Sequence, residues 1–193
     1  MEIPENIRIQ ARELLRGKGV PWDDFIVLHL GPTWPVKEWP VASWASLVEE
    51  LSKRGYKHVV HLGVGKHLAL GSVDLAEIPG TVPLFDQLPL ETSLALISMS
   101  RLFIGIDSGL LHCAISFGTK AVGLWGATSP KFLFTEEEAD SFVLSTVQCQ
   151  GCHHHFPRLH WKTGCPYDIA CMKAIRVEEV LQACLSKLDF QKV

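Results

Sequence analysis

Leu102-Phe-Ile-Gly-Ile-Asp-Ser-Gly-Leu-Leu-His112 holds the reading of the fold and the first sign of chemistry. Leu102 to Ile106 is continuously apolar, the pattern of a strand buried on both faces. A polar pair and a glycine follow, and Gly109 to Phe117 reads as a helix of small and apolar residues. A strand running straight into a helix is the repeating unit of a parallel sheet. At such a junction the first N–H groups of the helix lack intrahelical partners, and the helix dipole is positive. The turn therefore suits an anion such as a phosphate. Ser108 adds a hydroxyl, and His112 lies about one turn into the helix, able to face the same crevice. The same residues also suit a purely structural role, with Asp107 or Ser108 as an N-cap and His112 as a satisfied, partly buried histidine.

The alternation extends outward in both directions. Upstream, Phe25–Leu30 is a strand stopped by Gly31-Pro32, and Val41 to Arg54 is a helix ended by Gly55. His58–Leu62 is a second strand, Val82–Phe85 a short third, and Glu91–Ser100 a helix. Downstream, Ala121–Trp125 is a strand closed by Gly126, Phe142–Ser145 one more, and Val177–Leu188 a final helix. Strands and helices in this order predict an α/β fold: a doubly wound, Rossmann-like parallel sheet with helices on both faces. Residues 1–24 read as a lead-in helix or linker, and residues 25–193 as the domain. Ligands of such sheets bind beyond the carboxyl ends of the strands. Here those ends are Gly31–Trp39, Gly63–His67, Asp107–His112 and Gly126–Pro130.

Among these, Gly31-Pro-Thr-Trp-Pro-Val-Lys-Glu-Trp-Pro40 offers the Thr33 hydroxyl and the Lys37 ammonium, a reasonable phosphate clamp. It also reads as a Pro/Trp-rich packing loop with an exposed lysine. Gly63-Val-Gly-Lys66 lacks P-loop spacing, and His67 stands where Ser or Thr belongs. No G-x-G-x-x-G fingerprint, G-x-S-x-G elbow or Asp-x-Asp metal motif is present.

Composition removes several classes. With 193 residues, 47% hydrophobic, the chain can bury a core, so disorder is excluded. A net charge of −3 argues against nucleic-acid binding through bulk charge. No apolar run nears the roughly 18 residues that cross a bilayer. The N-terminus has no signal-peptide core, which predicts a cytoplasmic protein, at most peripheral to a membrane. Of the cysteines, Cys113 and Cys184 stand apart. The others form Cys149-x2-Cys152-x12-Cys165-x5-Cys171 within a cysteine-rich loop, 149–171. A C-x2-C pair with two more thiolates can hold a structural zinc, with His153, His154, His155 and His160 as spare ligands. Free packed thiols, or disulfides formed after purification, are the alternatives.

Taken together, four blocks resemble glycosyltransferase family 9, the lipopolysaccharide heptosyltransferases and their relatives. They are His29–Thr33 with Lys37–Pro40, Phe103–His112, Gly118–Pro130, and Cys149–Cys152 through Cys171-Met172. The match is to the C-terminal lobe of that family's two-lobed GT-B fold, from about Phe25 to the final helix. The resemblance implies a nucleotide-sugar donor site, with Thr33 and Lys37 on the diphosphate and Asp107, Ser108, Gly109 and His112 lining the sugar–phosphate pocket. It implies inverting glycosyl transfer without a catalytic metal, toward a glycan or lipid-linked acceptor at the inner face of the bacterial inner membrane. The general base and acceptor site would belong to an N-terminal lobe that this chain lacks, so the chain alone would bind donor and transfer little. His67-Leu-Ala-Leu70 occupies the place where the family often has an acidic residue for the ribose, leaving the nucleotide open. A degenerate lobe serving as a non-catalytic partner-binding module is the competing reading.

Overall fold

β1 (Ile26–His29) is the centre from which the molecule is built. In the computed structural model it pairs in parallel with β2 (Val59–Leu62) on one side and β4 (Leu102–Ile106) on the other. Ile26 faces both Val59 and Leu102, and His29 faces both Leu62 and Gly105. β3 (Thr81–Pro83), β5 (Ala121–Trp125) and β6 (Val143–Leu144) extend the sheet to the order β3-β2-β1-β4-β5-β6, all parallel. The structure describes residues 2–31, 34–63, 78–84, 87–139, 142–155 and 165–189. Thr33, His160 and the His67–Leu70 segment lie outside them.

The doubly wound reading is borne out, and strand alternation explains it. Ile26 and Leu28 point to one face, into a core with Trp44, Leu47 and Leu51 of α2 (Val41–Lys53) and with Leu181 and Leu188 of α8 (Val177–Asp189). Val27 points to the other face, with Leu96 of α3 (Leu90–Met99) and Leu111 of α4 (Gly109–Ser116). Both faces are covered, so β1, β2, β4 and β5 are buried along their whole length. α1 (Glu5–Gly17) buries Ala11 and Leu15 in this second core and packs on α3. The segment read as a lead-in therefore contributes to the packing of the domain.

The edge elements are shorter than their apolar runs suggest. Residues 82–85 read as a strand, and the ladder covers Thr81–Pro83, with Phe85 outside the described residues; residues 142–145 shrink to Val143–Leu144. After β6 come α5's successors in the cysteine-rich loop, α6 (Cys152–His155) and α7 (Ala170–Lys173); α5 itself (Glu136–Ala139) precedes β6. No helix among the described residues is long and apolar enough to cross a membrane.

Candidate functional site

The strand order reverses between β1 and β4, and this switch point is where doubly wound sheets bind ligands. Gly31, at φ +100°, lets the chain leave β1 close over the end of β4. A Cβ there would stand 2.5 Å from Ile106 Cδ1. A 3-10 turn, Pro35–Lys37, then brings Lys37 back over the strand ends. Its ammonium donates to Asp107 Oδ2 at 2.6 Å and approaches the Asp107 carbonyl at 3.4 Å. It also lies 4.4 Å from the centroid of the Trp34 ring. Lys37 and Asp107 are 14% and 8% exposed, so the pair is shielded from solvent.

Asp107 is held from three directions. The Thr128 hydroxyl donates to Oδ2 at 2.7 Å, and His112 Nε2 stands 3.9 Å from Oδ1. His112 stacks on Phe134 at 4.6 Å, which fixes its ring beside the carboxylate. Ser108 has extended backbone and caps α4, its Oγ accepting the Leu111 N–H at 3.4 Å. The first-turn N–H groups of Gly109 and Leu110 have no intrahelical partner by the geometry of a helix start. A Cβ built on Gly109 meets none of the described residues within 4 Å, so the space beside that residue is open among them. Ser108 is thus an N-cap, as the structural reading has it, and the structure brings Lys37, Asp107, Ser108, Gly109 and His112 close together.

Several neighbours carry no local sequence signal. His29, at the end of β1, lies 3.1 Å through Nδ1 from Ser108 Oγ, 79 residues away. Burial, reinforced by the nearby His61 charge, lowers its pKa to about 4, so it is neutral near pH 7. Thr128 enters through the turn after β5. The cysteine-rich loop docks on that same turn: Gly151 N–H donates to the Gly126 carbonyl at 2.8 Å and His153 N–H to that of Ala127 at 2.9 Å. Glycine is needed at 126, where a Cβ would meet Met172 Sδ at 2.5 Å and Cys171 Sγ at 2.9 Å.

Cys152 and Cys165 share a small apolar cluster with Val36 and Trp34. Burial raises the pKa of Cys152, and that of Cys171 to about 11, with the other cysteines of the loop adding to the rise. Cys149, Cys152, Cys165 and Cys171 are thus neighbours, as their spacing suggests. Yet among the described residues no three His, Cys, Asp or Glu side chains stand where they could hold one metal ion. The structure thus gives a structural zinc no support among the described residues.

The parallel, doubly wound sheet with helices on both faces is the Rossmann-like fold of GT-B glycosyltransferase lobes. The family model of glycosyltransferase family 9 (heptosyltransferase) matches residues 6–160, most of the chain, and the chain belongs to that family. The match begins inside α1, earlier than the motifs alone indicate. Lipopolysaccharide heptosyltransferase 1 of Pseudomonas aeruginosa is 26% identical over 138 residues, covering 68% of this chain and 37% of that protein. Two solved structures have similar folds. A family 9 glycosyltransferase of Veillonella parvula has a TM-score of 0.70 at 24% identity, covering 97% of this chain and 53% of its own. E. coli ADP-heptose lipopolysaccharide heptosyltransferase II has a TM-score of 0.69 at 19% identity, covering 100% and 54%. The chain spans about half the length of these solved structures.

Proposed function

We propose that this chain is the donor-binding lobe of an inverting, heptosyltransferase-like glycosyltransferase of lipopolysaccharide or related glycan synthesis. The reading is carried by one observation above all. Lys37, from the loop after β1, meets Asp107, from the turn after β4, at 2.6 Å beside an open helix start. A nucleoside diphosphate is the ligand such a point suits. Its phosphates would take the Gly109 and Leu110 N–H groups and the remaining N–H of the Lys37 ammonium. Thr33 would stand on the diphosphate side, and Ser108 and His112 toward the sugar.

In the proposed reaction an acceptor hydroxyl oxygen attacks the anomeric carbon from the face opposite the diphosphate. The new C–O bond forms as the bond to the phosphate oxygen breaks, and the electron pair leaves with the nucleoside diphosphate. The hydroxyl proton passes to a general base. Charge then grows on the leaving phosphate, where a fixed ammonium and helix-start N–H groups stabilise it without reorganising. Asp107 keeps Lys37 in place, and Thr128 keeps Asp107 in place, so the cation is aimed before donor arrives. The base and acceptor site fall to a second lobe, in keeping with relatives about twice as long. The similarity in fold to E. coli ADP-heptose lipopolysaccharide heptosyltransferase II makes ADP-heptose the first donor to try. A place at the cytoplasmic face of the inner membrane belongs to the same proposal.

Isothermal titration with ADP, ADP-heptose and UDP- and GDP-sugars tests the reading. Binding of at least one nucleotide diphosphate is expected, and binding of none overturns it. A structural zinc on the four cysteines rests on their C-x2-C spacing alone. Metal analysis of protein purified with reductant tests it, and less than about half an equivalent ends it.

A further inference from the structure

The cysteine-rich loop brings two histidines to the mouth of the site. Phe132 and His154 have ring centroids 4.4 Å apart, His154 and His153 5.5 Å, and His153 and Trp34 5.1 Å. Trp34 in turn lies under the Lys37 ammonium that holds Asp107. Four rings from three separate segments thus form a continuous band ending at the polar floor. We propose that this band is the sugar-recognition wall of the donor site, with Phe132, His154, His153 and Trp34 packing against the ring of the sugar on the bound nucleotide. The inference rests on the donor-site reading above.

Three features favour a sugar over the nucleoside. In doubly wound sheets the ribose is met at the end of the second strand, and the diphosphate at the switch point. Phe132, His153 and His154 instead follow β5 and β6, on the side of β4 away from β2, and Trp34 joins them from the loop after β1. Its chemistry is mixed: Trp34, His153 and His154 pack edge to face, at 60° and 73°, which leaves the exposed Phe132 ring for C–H surfaces and imidazole edges for hydroxyls. The Ser129 N–H donates to His154 Nε2 at 3.1 Å, so Nε2 is an acceptor and the neutral ring carries its proton on Nδ1, as a donor. The band is also held firmly. Besides the two backbone bonds from Gly151 and His153, Gln150 Nε2 donates to the Thr128 carbonyl at 3.1 Å. Phe132 is 62% exposed, an apolar ring presented to solvent beside the polar floor.

The test compares ADP with ADP-heptose on the full chain, for Phe132→Ala and His154→Gln. Phe132 is too exposed to matter for folding, and glutamine at 154 keeps an acceptor for the Ser129 N–H. ADP affinity should be unchanged in both variants, while ADP-heptose affinity falls about threefold to tenfold. Equal affinities for ADP-heptose in parent and variants would overturn the proposal, as would equal losses for both ligands. If the parent binds neither ligand, the donor-site reading itself fails and the wall falls with it. Should His154→Gln unfold, Phe132→Ala decides alone.

Discussion

β1 and β4 are tied together by an ion pair at each end, and the two pairs make an informative contrast. At the start of the strands Arg101 meets Asp24 at 2.6 Å; at their finish Lys37 meets Asp107 at 2.6 Å. The distances are equal, but the surroundings are not. Arg101 and Asp24 are 30% and 55% exposed, whereas Lys37 and Asp107 are 14% and 8% exposed. Water screens the first pair, and each partner can return to solvent if the other is lost. The second pair has given up most of its hydration, and Asp107 recovers it through Thr128 and His112. The buried pair carries a desolvation cost that, under the proposed function, holds a charge pre-aimed for the donor, while the exposed pair at the opposite end is an ordinary surface contact.

Lys37→Ala probes this contrast most strongly. It leaves the Asp107 carboxylate buried without its cation, so stability should fall by about 3 kcal/mol, the low end for such a loss because Thr128 remains. Denaturant unfolding measures that fall, and titration should find ADP affinity reduced at least tenfold, or about 1.4 kcal/mol.

Acid should act next, through His29. Its folded pKa of about 4 lies below the ordinary 6.5, so the unfolded chain binds the extra proton first. Stability from this group is complete above pH 6.5 and drains away as pH falls toward 4. The loss is on the order of 3 kcal/mol at most. Unfolding curves of parent and His29→Asn between pH 7 and 4 should diverge in slope; parallel curves would mean that His29 is not buried as a neutral ring.

Ser108→Ala removes the N-cap and the His29 partner together, and about 1 kcal/mol of stability should go with them. Weaker ADP binding should follow from fraying of the first turn of α4. The smallest effect belongs to the exposed pair. Arg101→Ala should cost roughly 0–1 kcal/mol and leave ADP affinity untouched. A larger loss there would erase the contrast between the two ends of the sheet.

Much of the fold is legible in the residues. Leu102–Ile106 and Ala121–Trp125 read as strands because five apolar residues in a row suit burial on both faces, and both form as written. The helix at Val41 follows from Trp44, Leu47, Val48 and Leu51 at helical spacing, and all four are buried. Of the site, Lys37, Asp107, Ser108, Gly109 and His112 are legible because strand-end turns in this fold are where ligands bind. Thr128 lies in another of those turns, but its bond to Asp107, like the placing of His29, His153 and His154, depends on a partner distant in sequence. His153 and His154 look like spare metal ligands when read along the chain; their rings instead join Trp34 and Phe132.

The sequence by itself determined which segments are strands, which are helices, and where the strand ends lie, because apolar periodicity is a local property of the backbone. Only the tertiary structure decided which of those ends meet. Placing β1 against β4 sets a lysine from one loop on a carboxylate 70 residues later. Docking the cysteine-rich loop on the turn after β5 sets its histidines beside them. Contacts of that kind depend on strand order and on close approaches at Gly31 and Gly126, and no spacing along the chain encodes them.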